Sequence, residues 1–136
     1  MTQEEKQLLL VDLCARIPYS QIVNINGEIK KLIVISNTFI HFADLTDDDL
    51  EGICDLDYCD VKPYLRPMSS MTEEEKKKVC SLNGISLIEL NERLKWDMYI
   101  KVYTIETFDY FNAHHLDYRG LIEKGLAIEA PKEMYK

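Results

Sequence analysis

QIVNINGEIKKLIVIS, residues 21–36, decides how this chain is read. Apolar side chains stand on both sides of Asn26-Gly27, and that dipeptide supplies the two positive φ values of a type I′ turn. The stretch is therefore a hairpin, with Ile22 and Val23 on one arm and Leu32, Ile33, Val34 and Ile35 on the other. Ser36-Asn37 breaks the run, and TFIHFADL (38–45) alternates Phe39 and His41 with Ile40 and Phe42 as a third strand. A fourth apolar segment runs from Ile53 to Val61. The pattern predicts an antiparallel meander of four or five strands, and a barrel-like curl and an open sheet both satisfy it.

Upstream, Thr2 to Arg16 reads as a helix that Pro18 stops. Thr2 and Glu5 form a capping box, in which each side chain takes an otherwise orphaned backbone N–H. Leu9, Leu13 and Ile17 recur at helical spacing. Downstream, VKPYLRPMSSMTEEEKKK (61–78) divides the chain. Pro63 and Pro67 fix φ and push Lys62 and Arg66 towards extended geometry. Thr72 with Glu75 is a second capping box, opening a helix to Leu82 that Asn83-Gly84 ends. Ser86 and Glu89 repeat the pattern before a helix over 87–95 that places Leu87, Leu90 and Leu94 on one face. WDMYIKVY (96–103) alternates like a strand, pairing within the chain or with another copy. Thr104 opens a helix through His115 that turns Ile105, Phe108 and Phe111 inward, and the tail reads as an extended apolar strip. The expectation is one α+β domain, residues 1–136. It has an N-terminal helix and an antiparallel four- to five-stranded sheet in an acidic half (1–62), then helices and an extended C-terminal tail packed on the sheet (63–136).

Charge is distributed unevenly. Residues 1–60 hold 12 acidic and four basic side chains, whereas residues 61–136 hold 12 of each. The net −8 thus belongs to the first half, mostly to residues 44–60, which argues against direct binding of a nucleic-acid backbone. No apolar run reaches the roughly 18 residues of a membrane span. Acidic residues stand where a signal peptide needs a basic region, which predicts a cytoplasmic protein. Cys14, Cys54, Cys59 and Cys80 form no CxxC pair and read as reduced, partly buried thiols.

Three places carry candidate chemistry. From Asp47, acids at Asp49, Glu51 and Asp55 with Gly52 follow much of a calcium-binding EF-hand loop. Tyr58 stands where a bidentate glutamate is needed, however, and the flanks read as strands. A solvated acidic loop is the expectation, with Asp47, Asp48, Asp49 and Glu51 as a partner-binding face and no metal. His114-His115 with Asp117 would suit a metal or acid–base role, but adjacent helical residues point about 100° apart. A helix end, with a cationic histidine near the C-terminal dipole and Asp117 taking turn N–H groups, is the plainer reading. Tyr64 and Arg66 form either a rigid recognition strip or a strap across the sheet. Tyr118-Arg119 forms either an anion contact or a carboxylate pair that holds the tail. No GxSxG, P-loop or GxGxxG is present.

PYLRPMSSMTEEE (63–75) and FNAHHLDYRGLIEKGLAIEAP (111–131) resemble blocks of small uncharacterised proteins encoded by gut Bacteroidales and their phages or other mobile elements. That resemblance implies a bacterial or viral cytosolic origin and carries over no catalytic residue. The leading expectation is a non-catalytic accessory or interaction protein that engages a basic partner surface through its acidic face, a DNA mimic being one special case. The alternative is a binder of a nucleotide-like anion, with Tyr64, Arg66, His114, His115, Tyr118 and Arg119 converging in a pocket within or between subunits. An enzyme using His114, His115 and Asp117 comes third. No cofactor is expected.

Overall fold

A computed structural model of the chain describes residues 1–46, 50–95 and 103–135. Asp47, Asp48 and Asp49 lie outside the described residues, as does the expected strand over 96–103 apart from Tyr103. The elements run α1 (Gln3–Arg16), a 3₁₀ turn (Ile17–Tyr19), β1 (Ile22–Ile25), β2 (Glu28–Ser36), β3 (Phe39–Ala43), β4 (Gly52–Asp55) and β5 (Val61–Leu65). After a second 3₁₀ turn (Met68–Ser70) come α2 (Glu73–Asn83), α3 (Leu87–Lys95), α4 (Ile105–Ala113) and β6 (Ile128–Glu129).

The strands form one open sheet in the order β4-β3-β2-β1-β5-β6. β4 and β6 are its edges, so the barrel-like option is excluded. Five strands pair antiparallel, and the short β6 adds a sixth, parallel to β5. The expected tail strip is therefore partly a strand, anchored as Ala130 N–H donates to Leu65 O at 2.7 Å. The first hairpin turns at Asn26 (φ 51°) and Gly27 (φ 94°), both in the left-handed region as the sequence requires.

Residues 61–65 are a sheet strand and not a strap. Proline is tolerated there for a geometric reason. Asn26 N–H donates to Asp60 O at 2.9 Å. Alternation from that bond makes Asn24–Lys62 the next hydrogen-bonded pair and Val23–Pro63 a non-hydrogen-bonded one. Pro63 thus turns its missing N–H away from β1, and β6 pairs only from Tyr64 onward. At the other edge a Cβ on Gly52 would sit 2.9 Å from Phe42 Cζ, so glycine lets the Phe42 ring lie across β4. Gly52 is a packing glycine inside a strand, not the turn of a calcium loop.

One sheet face carries Val23, Ile25, Leu32, Ile40 and Val61 and packs on Leu9 and Leu13 of α1. Burying each leucine stabilises by roughly 1.5–3 kcal/mol. The second-half helices form a separate core around Val79, Leu90, Phe111 and Leu116, beside the sheet and not over its other face. Leu65, Leu121 and Leu126 form a third cluster, from β5 and the tail. In α4, Ile105 is exposed while Phe111 is buried, a correction to the expected inward trio. Six helical residues advance by about 240°, so Ile105 and Phe111 cannot share a face. Thr107, Phe108, Phe111 and Asn112 make the inward stripe instead.

The sheet half and the helical half meet at an ion pair. Asp12 and Arg16 of α1 have no side-chain exposure. Arg16 Nε and Nη2 each donate to the Asp12 carboxylate at 3.0 Å, and Nη2 also donates to Leu116 O at 2.8 Å. Arg119 Nη1 reaches Asp12 Oδ1 at 2.7 Å, so one carboxylate neutralises two guanidiniums. Removing it strands buried charge. Asp12→Ala is expected to cost about 3–5 kcal/mol in urea unfolding. Exposed Gln7→Ala should cost less than about 0.5 kcal/mol. Equal midpoints for the two variants would show that the pair is dispensable.

Candidate functional site

Arg66, His114 and His115 come together; the other described candidates do not join them. The three line a cleft of about 300 Å³ with Tyr19, Ser20 and Tyr135. Helix α4 runs out at His114, and His115 takes φ 58°, the left-handed position that reverses the chain beyond a helix. Leu116 N–H then closes the turn on Phe111 O at 2.9 Å. The reversed segment runs beside Arg66: Arg66 N–H donates to His115 O at 2.7 Å, and Asp117 N–H to Arg66 O at 2.8 Å. The His115 ring stacks on Tyr135, centroids 3.7 Å apart. The Tyr135 hydroxyl donates to Tyr64 O at 2.7 Å and accepts from Ile22 N–H at 3.2 Å, which fastens the tail over β1 and β5.

The cleft's cation is already engaged. Arg66 Nη1 and Nη2 grip Glu75 at 2.8 and 2.7 Å, a bidentate fork from β5 to the first turn of α2. That contact, against the opposing pull of burial, draws the Glu75 carboxyl down to about 2. His114 Nδ1 lies 3.4 Å from Glu75 Oε2, and burial lowers its affinity for a proton. His115 is lowered further, to about 4, by burial first and then by the Arg16 charge. The expected cationic histidine at the helix end is therefore corrected: His115 is neutral at pH 7 because its ring is enclosed beside a guanidinium. Its Nδ1 and Gln21 Oε1 are buried without hydrogen-bond partners among the described residues.

Tyr118 and Arg119 belong to the Asp12 cluster. Arg119 lies 4.5 Å over the Tyr118 ring while paired to Asp12, so it holds the chain beyond α4 to α1. Asp117 accepts from Leu121 N–H at 2.8 Å and Ile122 N–H at 2.9 Å, the turn-capping role that its place after the histidines suggests. Tyr64 is buried in β5, its hydroxyl accepting from Asn24 Nδ2 at 3.1 Å. Both arginines expected to meet an anion thus have carboxylate partners, and the four aromatic and guanidinium groups occupy two places. A second groove of about 590 Å³ lies under the start of α1, where Lys6 pairs with Asp57.

The sheet supplies a different surface, one that the residue patterns left unmarked. A β-bulge between Leu32 and Val34 shifts the register so that Val34, His41 and Ile53 stand in one row across β2, β3 and β4. Phe39 follows on β3, and Ile29 lies further along β2 on the same face. No described element covers them: Ile29, Val34, Phe39 and Ile53 are 44%, 47%, 44% and 54% exposed. The signal available was KLIVIS, apolar at every position from Leu32 to Ile35 where a half-covered strand should alternate.

Acidic groups gather at both ends of β4, those around Lys30 on the α1 side of the sheet, since Lys30 pairs with Val23 and Glu28 with Ile25. On one side Lys30 Nζ lies 2.9 Å from Asp44, 2.8 Å from Glu51 and 3.7 Å from Glu28, three carboxylates around one ammonium. Those hydrogen bonds, Glu51 first, hold Lys30 firmly protonated, and Lys30 in turn lowers Asp44. On the other side Asp55 accepts from Thr38 Oγ1 at 3.0 Å and from Asp57 N–H at 2.9 Å. Among the described residues no group of three or more metal-ligating side chains is poised to hold an ion. No described helix is long and apolar enough to cross a membrane.

No protein-family model, curated protein or solved structure matches the chain. The physical chemistry of its own residues therefore carries the argument. At the cleft that chemistry fixes a pH response. An unfolded chain protonates His115 near 6.5 and the folded protein near 4, so the unfolded state binds more protons in between. Stability should fall as pH drops from about 6.5 to 4, and again towards 2 as Glu75 is protonated. Urea midpoints for His115→Asn, which tolerates the positive φ, should be flatter in the upper window and unchanged in the lower. An unaltered upper slope would count against a buried neutral His115.

Proposed function

We propose that this protein is a non-catalytic interaction module that engages a partner through the β3–β4 side of its sheet. One observation carries the reading: an apolar row that no described element covers, in a sheet whose end carries three carboxylates around one lysine. Monomeric proteins seldom leave such a face open without a use for it. Residues 44–60 add eight acidic side chains and no basic one, so the field around the row is negative. Such a field steers a basic partner and discourages an acidic one.

The resemblance of residues 63–75 and 111–131 to proteins of gut Bacteroidales and their phages or mobile elements agrees with an accessory role. The anion-binding alternative has weaker support, since Arg66 and Arg119 are each paired to a carboxylate. An enzyme built on His114, His115 and Asp117 has weaker support still, because both Asp117 oxygens are occupied by backbone N–H groups.

The test uses a fluorescent oligolysine peptide as probe. Asp44→Asn, Glu51→Gln and Asp55→Asn combined should weaken binding several-fold at low ionic strength. The difference should vanish in about 1 M salt, where screening shortens to roughly 3 Å. Titration by anisotropy reads both, with far-UV circular dichroism to confirm the fold. Unchanged affinity in the triple variant would remove the acidic face from recognition.

A further inference from the structure

We infer that Cys54 and Cys59 form a reversible dithiol–disulfide site at the turn between β4 and β5, oxidised by low-molecular-weight disulfides. The site is separate from the open sheet face and stands whether or not that face binds a partner. In sequence the two cysteines bracket a short polar stretch, CDLDYC (54–59). The fold closes that stretch on itself. Cys54 pairs with Ile40 across β3 and β4, so its side chain points to the α1 face, where Ile40 is buried. Asp55 O then accepts from both Tyr58 N–H and Cys59 N–H, each at 2.9 Å. Thr38 Oγ1 and Asp57 N–H donate to Asp55 Oδ1 at 3.0 and 2.9 Å, and Leu56 N–H donates to Thr38 O at 2.8 Å. These bonds hold the turn, and Cys59 returns to the same core as Cys54, beside buried Leu56. There the two free thiols meet in a hydrogen bond. Cys14 is exposed on α1 and Cys80 packs in the helical core, so neither shares the turn.

The surroundings give each sulfur its part. Cys59 lines the groove of about 590 Å³ under the start of α1, where a small disulfide can reach it. The Cys54 thiol is kept protonated: burial first, then the hydrogen bond and charge of Cys59, push it up to about 12. Cys59 is therefore the attacking sulfur and Cys54 the resolving one. The Cys59 thiolate attacks a small disulfide RSSR, forming Cys59–S–S–R and releasing RS⁻. Capping Cys59 removes two of the influences that raised Cys54. Cys54 then loses its proton and attacks the Cys59 sulfur, which expels the second RS⁻. Each RS⁻ takes up one of the protons that the cysteines lost. The protein pair is oxidised by two electrons and RSSR is reduced to two RSH, so excess RSH drives the exchange backwards. The bond pins a turn that carries Asp55, Asp57 and the exposed Tyr58.

The experiment equilibrates the full chain with oxidised and reduced glutathione, quenches by alkylation, and reads intact mass and mapped peptides. Oxidation should remove two hydrogens per chain and link Cys54 to Cys59, and excess reduced glutathione should reopen the link. Cys54→Ser should trap glutathione on Cys59. Cys59→Ser should take glutathione on Cys54 at least about tenfold more slowly than that. The disulfide should also be favoured at least about tenfold more in the folded chain than in urea, because the turn pre-forms the contact. That comparison uses the unaltered chain and so holds even where a serine variant misfolds. A folded-to-urea ratio near one, or glutathione adducts without a Cys54–Cys59 link, would overturn the inference. So would links through Cys14 alone, or a Cys54–Cys59 link that reduced glutathione leaves closed.

Discussion

One carboxylate holds the molecule together. Asp12, on α1, lies at the meeting point of the sheet half, the end of α4 and the chain that returns from it. Two guanidiniums converge on it, and Arg16 also spends a donor on Leu116 O beyond the last turn of α4. Carbonyls at a helix end are unsatisfied and carry partial negative charge. A buried cation there satisfies a carbonyl while its own charge is met by Asp12. Desolvating such ions is costly, and the arrangement repays it only because nearly every polar atom has a partner. The consequence is positional. α1 has one rotation and one depth that let Asp12 and Arg16 point into this junction.

That rotation also sets which side of the sheet is closed. With Asp12 and Arg16 turned to α4, Leu9 and Leu13 fall on the Val23–Leu32–Ile40 face. The later helices gather around Phe111 as their own core. They are tied back to β5 through the Arg66–Glu75 fork and the bridge between Arg66 and Leu116. No described element is then left for the far side of β2, β3 and β4. The open face follows from where the helices are held, and a strand sequence apolar on both sides makes that face sticky.

The cleft at Arg66, His114 and His115 shows the opposite economy. It gathers the most conspicuous polar residues of the second half, yet most of their contacts are spoken for within the chain. Glu75 takes Arg66, Tyr135 takes His115, and burial keeps the imidazole neutral. Conspicuous residue types thus hold the tail and the helices together here, while plain Val, Ile and Phe side chains form the exposed surface.

Much of the architecture was legible because it is local. Capping boxes at Thr2 and Thr72, the Asn26-Gly27 turn and the period-two runs each involve a few neighbouring residues, and each forms as its sequence dictates. Asp117 as a turn cap and Arg119 as a carboxylate partner were legible too, as residue types with one common use. What the tertiary structure alone decided is long-range. Asp12 and Arg16, four apart on a helix, read as an ordinary surface pair. Their complete burial depends on Phe111 and Leu116, about a hundred residues away. Likewise KLIVIS states that both faces of β2 are apolar but not which will be covered. Coverage is settled by where separate helices dock, and docking is set by buried charge and packing volume that no local period encodes.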